Sequence, residues 1–170
     1  MTPSGQQIKK EEIVLSLYPN SIGFGFAVMT SALTVLNSRV VQVRPISNTH
    51  TMKRIREIID YYEPKIVVLE DCSITGSRKS KRIKKMINTI SRYALKKHLK
   101  IGTYSRADIR YVFSSFNART KYEIAQVISE NIKNMKYKLM KPRKTSESEK
   151  YMAGAFDAVS LGITHFYMDN

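Results

Sequence analysis

The sequence predicts one α/β domain, built on a mixed five-stranded sheet with an antiparallel meander first and helices on its flanks. Three observations predict this fold class. Short apolar runs joined by turn residues occupy the chain up to residue 43. After residue 43, segments whose apolar residues have helical spacing alternate with two further short apolar runs. The 170 residues and the apolar share of 42% suit one domain with its own core. Residues 13–170 are therefore predicted to form a single domain, after a polar leader at residues 1–12.

The first three predicted strands lie before residue 44. Residues 13–17 are apolar, and turn residues at positions 18–21 separate them from a second apolar run at residues 22–29. Residues 31–37 mix turn and strand types, and the β-branched residues 40–43 end the region. Connections this short join antiparallel neighbours, so the three strands are expected to form a meander.

Helices and two more strands are predicted in the rest of the chain. The apolar spacing of residues 52–62 predicts a helix that ends at Pro64, before a buried strand at residues 66–69. A second helix is expected at about residues 78–97, and a strand at residues 101–104. Further helices are predicted after the capping signals at Ser105 and Thr120 and on the apolar stripe of residues 152–166, with a polar loop at residues 136–149.

The chain is strongly basic. It has 29 Lys and Arg residues against 14 Asp and Glu, which gives a formal net charge of +15. Such an excess repels itself unless a polyanion offsets it, and nucleic acid is the polyanion that fits best. Attraction to an anionic membrane is the alternative, but no amphipathic anchor accompanies the charge. The composition therefore favours a nucleic-acid partner and no membrane partner.

Several classes of site are excluded by residue type. Cys72 is the only cysteine, so an intramolecular disulfide and a cysteine-based zinc site are both excluded. His50, His98 and His165 have no spacing typical of metal ligands. Residues 1–12 are polar and resemble neither a secretory signal nor a membrane span. We expect a soluble protein of the cytoplasm, associated with the nucleoid and without a small-molecule cofactor.

Three carboxylates are placed where a divalent-metal site could form. Oxygen atoms are the ligands that Mg²⁺ prefers, and a nuclease with two metal ions needs several carboxylates close together. Glu70 follows a buried strand, at the edge where open α/β sheets form their sites, and Asp71 joins it only if the chain turns there. Asp157 lies in the last apolar helix, three residues after Gly154. The alternative is that Glu70 and Asp71 solvate a loop and that Asp157 is an ordinary exposed residue.

Residues 78–85 form the densest basic segment. Arg78, Lys81, Arg82 and Lys85 are spaced to share one face of the predicted second helix, opposite its apolar stripe. Phosphate contact is favoured over an ordinary solvated face, because no acid interrupts the basic residues here. Such contacts recognise branched shape better than base sequence. The predicted DNA-binding residues are Arg78, Lys79, Lys81, Arg82, Lys84, Lys85, Arg106, Arg110, Arg119 and Lys121.

The order of these motifs resembles that of the RuvC-like Holliday junction resolvases. Residues 13–28, which contain a Gly-Phe-Gly motif at positions 23–25, look like the first strand and hairpin of that family. Residues 68–71 resemble its second acidic motif, and residues 156–165 are similar to the terminal helix that presents its last metal ligand. The resemblance extends from about residue 13 to residue 166.

This resemblance implies an RNase H-like (ribonuclease H-like) fold, a homodimer, and Mg²⁺- or Mn²⁺-dependent cleavage of branched or four-way DNA in recombination and repair. It carries the catalytic and metal-binding roles over to Glu70 and Asp157. With only these two carboxylates in place, Asp71 or Glu149 would have to complete the metal site.

The first acid of the family pattern is missing from this chain. Counting back from Gly23 places Ser16 at the lost or substituted ligand position, whereas alignment on Pro19 places Tyr18 near it. Neither side chain is an anionic metal ligand at neutral pH. Three functions therefore stay open: a crossover junction endodeoxyribonuclease, a non-catalytic junction-binding protein derived from the resolvase fold, and an RNA-binding or RNA-processing member of the superfamily.

Overall fold

The strands form one mixed sheet. The computed structural model describes residues 11–73, 77–141 and 152–169. In these ranges the strands are β1 (Val14–Asn20), β2 (Gly23–Ser31), β3 (Thr34–Gln42), β4 (Ile66–Glu70) and β5 (Lys100–Tyr104). Their order across the sheet is β3-β2-β1-β4-β5. The first three strands pair antiparallel, and β4 is parallel to both β1 and β5, which confirms the predicted mixed sheet with its meander first.

Helices cover both faces of the sheet. They are α1 (Asn48–Tyr62), α2 (Lys81–Lys96), α3 (Arg106–Ser114), α4 (Lys121–Asn131) and α5 (Ala153–Met168), with a short 3₁₀-helix at Lys133–Lys138. One apolar core lies between the sheet and α1 and α2, and the other between the sheet and α3, α4 and α5. Both predicted helix starts, at Ser105 and Thr120, are complete capping boxes. Within the described ranges, no helix is long and apolar enough to cross a membrane.

Strand alternation decides which side chains share a face. Leu15 and Leu17 of β1 pack with the α1 and α2 side, whereas Val14 and Tyr18 pack with the α5 side. In β4, Val68 belongs to that same α5-side core. Glu70, two residues further along β4, therefore points to the face that also carries Tyr18.

Two predictions made from the sequence are wrong, the position of a turn and the start of a helix. Residues 18–21 read as a turn, but β1 continues to Asn20, and Tyr18 pairs with Gly25 inside the sheet. The predicted second helix begins at Lys81 and not at residue 78, because the Ser80 side chain caps it by accepting from the backbone N–H of Ile83. In the segment predicted to be a loop, residues 136–138 end the 3₁₀-helix.

The start of α5 touches the sheet backbone directly. A Cβ atom on Gly25 would lie only 2.0 Å from the carbonyl oxygen of Gly154, so the two glycines permit a contact that a larger residue would block. This close approach fixes the first turn of α5 over β2. Asp157, the fifth residue of the helix, is thereby held over the sheet face.

Candidate functional site

Glu70 and Asp157 converge at the carboxyl edge of the sheet. The strands β1, β4 and β5 are parallel, so their carboxyl ends meet at one edge. The register pairs Ser16 with Val68, and Tyr18 and Glu70 each lie two residues further along their strands, on the same face. Glu70 is 7% exposed and Asp157 is 6% exposed, so both carboxylates are buried and need partners.

Each carboxylate contacts a lysine. The Nζ atom of Lys79, in the loop before α2, lies 3.3 Å from an oxygen of Glu70. The Nζ atom of Lys121, the first residue of α4, lies 3.5 Å from an oxygen of Asp157. Both buried acids are therefore paired with ammonium groups from other elements, Glu70 from the loop that follows β4 and Asp157 from α4.

Tyr18 joins the two ion pairs. Its hydroxyl oxygen accepts from Lys79 Nζ at 2.6 Å and from Lys121 Nζ at 3.3 Å. The same ammonium groups lie 4.1 Å and 5.5 Å from the centroid of its ring, within the range of cation–π attraction. These five residues are called the Tyr18 cluster below: Tyr18, Glu70, Lys79, Lys121 and Asp157.

Ser16 is one of the two β1 positions predicted for the missing acid. Its side chain is fully buried under α5, and its hydroxyl donates to the carbonyl oxygen of Ala158 at 2.6 Å. Ser16 therefore connects β1 to α5, two residues before Tyr18 along the strand. The geometry favours Tyr18 over Ser16 as the β1 position that faces Glu70 and Asp157.

Asp71 turns into its own loop. Its carboxylate accepts from the hydroxyl of Ser73 at 2.6 Å and from the backbone N–H of Ser73 at 2.9 Å. The hydrogen bond from the Ser73 hydroxyl has the larger effect and the backbone hydrogen bond the smaller, and together they hold the pKa of Asp71 below its ordinary value. The structure thus shows Asp71 engaged with Ser73 rather than in the Tyr18 cluster. Glu149, the other predicted ligand, lies outside the described residues.

The described part of the chain does not complete a divalent-metal site. It contains no group of three His, Cys, Asp or Glu side chains placed to hold a metal ion. Glu70 and Asp157 each face an ammonium group, and Tyr18, where a third carboxylate would be needed, carries a phenol instead. A third carboxylate ligand would have to come from outside the described residues.

The basic residues do not form the single helical ridge that was predicted. Arg78 and Lys79 precede α2, and only the later cations of the segment lie on it. The guanidinium of Arg82 donates to the carbonyl oxygen of Asn20 at 2.8 Å and to Asn48 Oδ1 at 3.2 Å, so it fastens α2 to the β1–β2 turn and to α1. Arg78, Lys81 and Lys85 are exposed and Lys84 is half-buried.

The remaining predicted DNA-binding residues follow the carboxyl edge. Arg106 opens α3 directly after β5, and Arg110 lies one turn later on the exposed side. Arg119 is exposed and stands two residues before Lys121, at the start of α4. Their contact with DNA stays a prediction.

No pattern in the sequence predicts the pairing of lysines with acids. Lys79 and Lys121 were predicted to contact phosphate, but Lys121 and Asp157 are 36 residues apart and belong to different helices. Another missed contact joins the hydroxyl of Tyr104 to Nδ1 of His165 at 2.8 Å. Burial lowers the pKa of His165 and raises the pKa of Tyr104, which favours the neutral forms of both groups and makes this contact a neutral link between β5 and α5.

Solved structures share this architecture over most of the chain. The Thermus thermophilus RuvC structure has a TM-score of 0.62 with 17% sequence identity, and the match covers 92% of this chain and 95% of that one. This chain has the RuvC-like resolvase fold. The RuvC-like fold is a form of the RNase H-like fold, as the sequence resemblance implied.

Two further structures with the RuvC-like fold are similar to this chain. T. thermophilus RuvC in complex with Holliday junction substrate gives a TM-score of 0.59 at 16% identity, covering 93% of this chain and 95% of that one. The yeast mitochondrial Holliday junction resolvase Ydc2 gives 0.61 at 11% identity, covering 92% and 78%. No protein-family model and no curated protein matches the sequence.

Proposed function

We propose that this protein binds branched DNA at the carboxyl edge of its sheet. The observation that carries the proposal is the order of exposure in the Tyr18 cluster. The side chains of Lys79 and Lys121 are 21% and 43% exposed, whereas those of Glu70 and Asp157 are 9% and 7% exposed. A phosphate that approaches this edge therefore meets ammonium groups before it meets carboxylates.

Exposed cations around the cluster support the same partner. They belong to the α2 segment and to the starts of α3 and α4, and the net charge of +15 adds a long-range attraction. Phosphate contacts of this kind fix the position of a duplex without reading its bases. The T. thermophilus RuvC complex provides the precedent of a similar fold bound to a Holliday junction.

We propose that two copies act together on one junction. A four-way junction offers symmetry-related duplex arms, and a two-fold dimer presents the same surface twice. We expect a homodimer acting in the cytoplasm on nucleoid DNA. Light scattering of the free protein and of its junction complex measures the number of copies, and one copy per junction would contradict this part of the proposal.

Junction binding is tested by competition. Full-length protein is titrated with a labelled four-way junction and with a linear duplex of the same arm sequences, at about 150 mM salt to limit non-specific attraction. We expect the junction to bind at least about tenfold more tightly. Equal affinity for the two DNAs would contradict the proposal, and tighter binding of a structured RNA would redirect it to the RNA-binding alternative.

Junction cleavage is the second candidate function. It is favoured by the convergence of two buried carboxylates, Glu70 and Asp157, at the edge where the resolvase fold is expected to have its active site. The lysine partners of both acids argue against it, so we expect binding without cleavage. The assay uses the four-way junction with Mg²⁺ and with Mn²⁺, beside an Asp157→Asn variant. Metal-dependent cuts that disappear in this variant would establish the second candidate.

A further inference from the structure

The Tyr18 cluster contains two ammonium groups, and a divalent cation is not expected to bind next to them. Lys79 and Lys121 both contact the hydroxyl oxygen of Tyr18, so their ammonium groups are close neighbours on the solvent side of the acids. A dication placed near Glu70 and Asp157 would be repelled by both lysines, and it would find a tyrosine where a carboxylate ligand is required. The lysine side chains are also the more exposed members of the pairs, at 21% and 43% against 9% and 7% for the acids, so an approaching anion meets the ammonium groups first.

From these contacts we infer that Lys79 and Lys121 replace divalent metal in this protein, so that the cluster holds a DNA phosphate through two ammonium groups and without a metal ion. This inference rests on the proposed binding of branched DNA. It adds the chemical class of the ligand, a phosphodiester, and the independence of that contact from metal.

The acids then act as positioning residues. Lysine is a flexible point charge, and holding it in one geometry costs side-chain entropy. Glu70 and Asp157 fix the two ammonium groups before DNA arrives, and Tyr18 accepts from both at one oxygen. Tyr18 is only 3% exposed, so its hydroxyl supports the lysines from below and does not itself reach the backbone of the DNA.

The inference is tested first without DNA. Mn²⁺ is titrated into the full-length wild-type protein, and the free ion is followed by electron paramagnetic resonance. We expect no stoichiometric binding tighter than about 1 mM, which is the weak end of biological divalent-cation sites. One or two equivalents of bound Mn²⁺ that are lost in Asp157→Asn would overturn the inference, whatever the protein does with DNA.

The second arm measures junction affinity in EDTA and in Mg²⁺ at matched ionic strength. We expect affinities within about twofold of each other, whereas a loss of about tenfold or more in EDTA would overturn the inference. If no junction binding occurs under either condition, the proposed function fails, and the Mn²⁺ titration still decides whether the cluster takes metal.

Lysine variants complete the experiment. In EDTA, Lys121→Gln is expected to weaken junction binding by about fivefold to tenfold, and Lys121→Arg to keep most of it because the cation is preserved. The matched control is Lys100→Gln, which removes an exposed lysine at the opposite edge, where β5 begins. Equal effects of Lys121→Gln and Lys100→Gln would overturn the inference. Melting curves of each variant show that the comparison is made on folded protein.

Discussion

At the scale of single residues, Tyr18 and Ser16 show how two neighbouring positions on one strand face have different tasks. Tyr18 lies beside Glu70 and accepts hydrogen bonds from two lysines, whereas Ser16 is sealed under α5 against the carbonyl of Ala158. The sequence alone left both open as the position of the missing acid, because strand alternation puts them on the same face. Only the strand register and the position of α5 distinguish them.

Ser16→Asp is expected to destabilise the protein strongly. The new carboxylate would be buried and would face a carbonyl oxygen, which cannot donate to it. We expect a loss of about 3–5 kcal/mol, by analogy with an uncompensated buried charge. Thermal melting measures it, with Ser16→Ala as the control. The alanine removes only a hydrogen bond, worth about 1 kcal/mol. Similar melting temperatures for Ser16→Asp and the wild type would show that position 16 reaches solvent or a cation.

At the scale of elements, the sequence predicted the periodic segments well and the special positions poorly. The apolar runs of β4 and α5 and the capping boxes of α3 and α4 are local signals, and the structure confirms them. The error at residues 18–21 has a physical cause. Pro19 lies beyond the last residue of β1 that pairs with β4, so its missing N–H costs no bond to that strand. Turn residues can then continue a strand.

Contacts between elements could not be predicted from the sequence for another reason. The acids and lysines of the Tyr18 cluster come from β4, the loop before α2, α4 and α5, and no spacing rule connects such segments. Helical spacing predicted a basic ridge, but the cap at Ser80 moved the helix start past Arg78 and Lys79. Because Ser80 caps α2, Lys79 lies in the loop before the helix, where it contacts Glu70.

Gly25→Ala should disturb the packing of α5 against the sheet. Its Cβ would lie 2.0 Å from a backbone oxygen of Gly154, which cannot move without the helix. We expect a loss of about 1–3 kcal/mol or more, from overpacking. Gly154→Ala is the matched variant, because its Cβ would meet the end of the Asn20 side chain at 2.8 Å, and that side chain can shift. Denaturant unfolding compares them, and a smaller loss for Gly25→Ala than for Gly154→Ala would contradict the packing described.

The link between β5 and α5 predicts a pH dependence. Burial holds the pKa of His165 below its ordinary value of 6.5, so over the interval between the two values the unfolded chain binds a proton that the folded protein does not. Stability from this site is therefore complete above about pH 6.5 and falls as the pH decreases through the folded pKa.

The expected result is a lower melting temperature at about pH 5 than at about pH 7, with a smaller decrease in His165→Gln, whose amide does not titrate. His50→Gln is the control, because His50 is exposed on α1. An unchanged pH dependence in His165→Gln would show that other groups cause the decrease.

At the scale of the whole molecule, charge and shape act together. The net charge of +15 attracts any polyanion, whereas the fold brings several of these cations to the carboxyl edge of the sheet. Composition alone predicted the first property. The second needed the fold, because Arg106 and Arg119 come to this edge only through the positions of β5 and α4.

Removal of Arg106 or Arg119 should change the salt dependence of junction binding. Each phosphate contact releases counterions and contributes about 0.9 to the slope of log affinity against log salt. We expect Arg106→Gln and Arg119→Gln each to reduce the magnitude of that slope by about this amount, and Lys100→Gln to leave it nearly unchanged. Fluorescence anisotropy at several salt concentrations measures the slopes. Equal slopes for all three variants would place the DNA on another surface.

The pairing of each acid with a lysine also limits how this protein could change by mutation. Replacing Tyr18 with an acid adds a carboxylate next to two ammonium groups that already hold the others. Replacing Lys79 alone removes the cation in contact with the buried Glu70. If the cluster binds phosphate without metal as proposed, a change to a metal site that begins with loss of Lys79 would pass through a less stable variant, because the buried Glu70 would lose its cation.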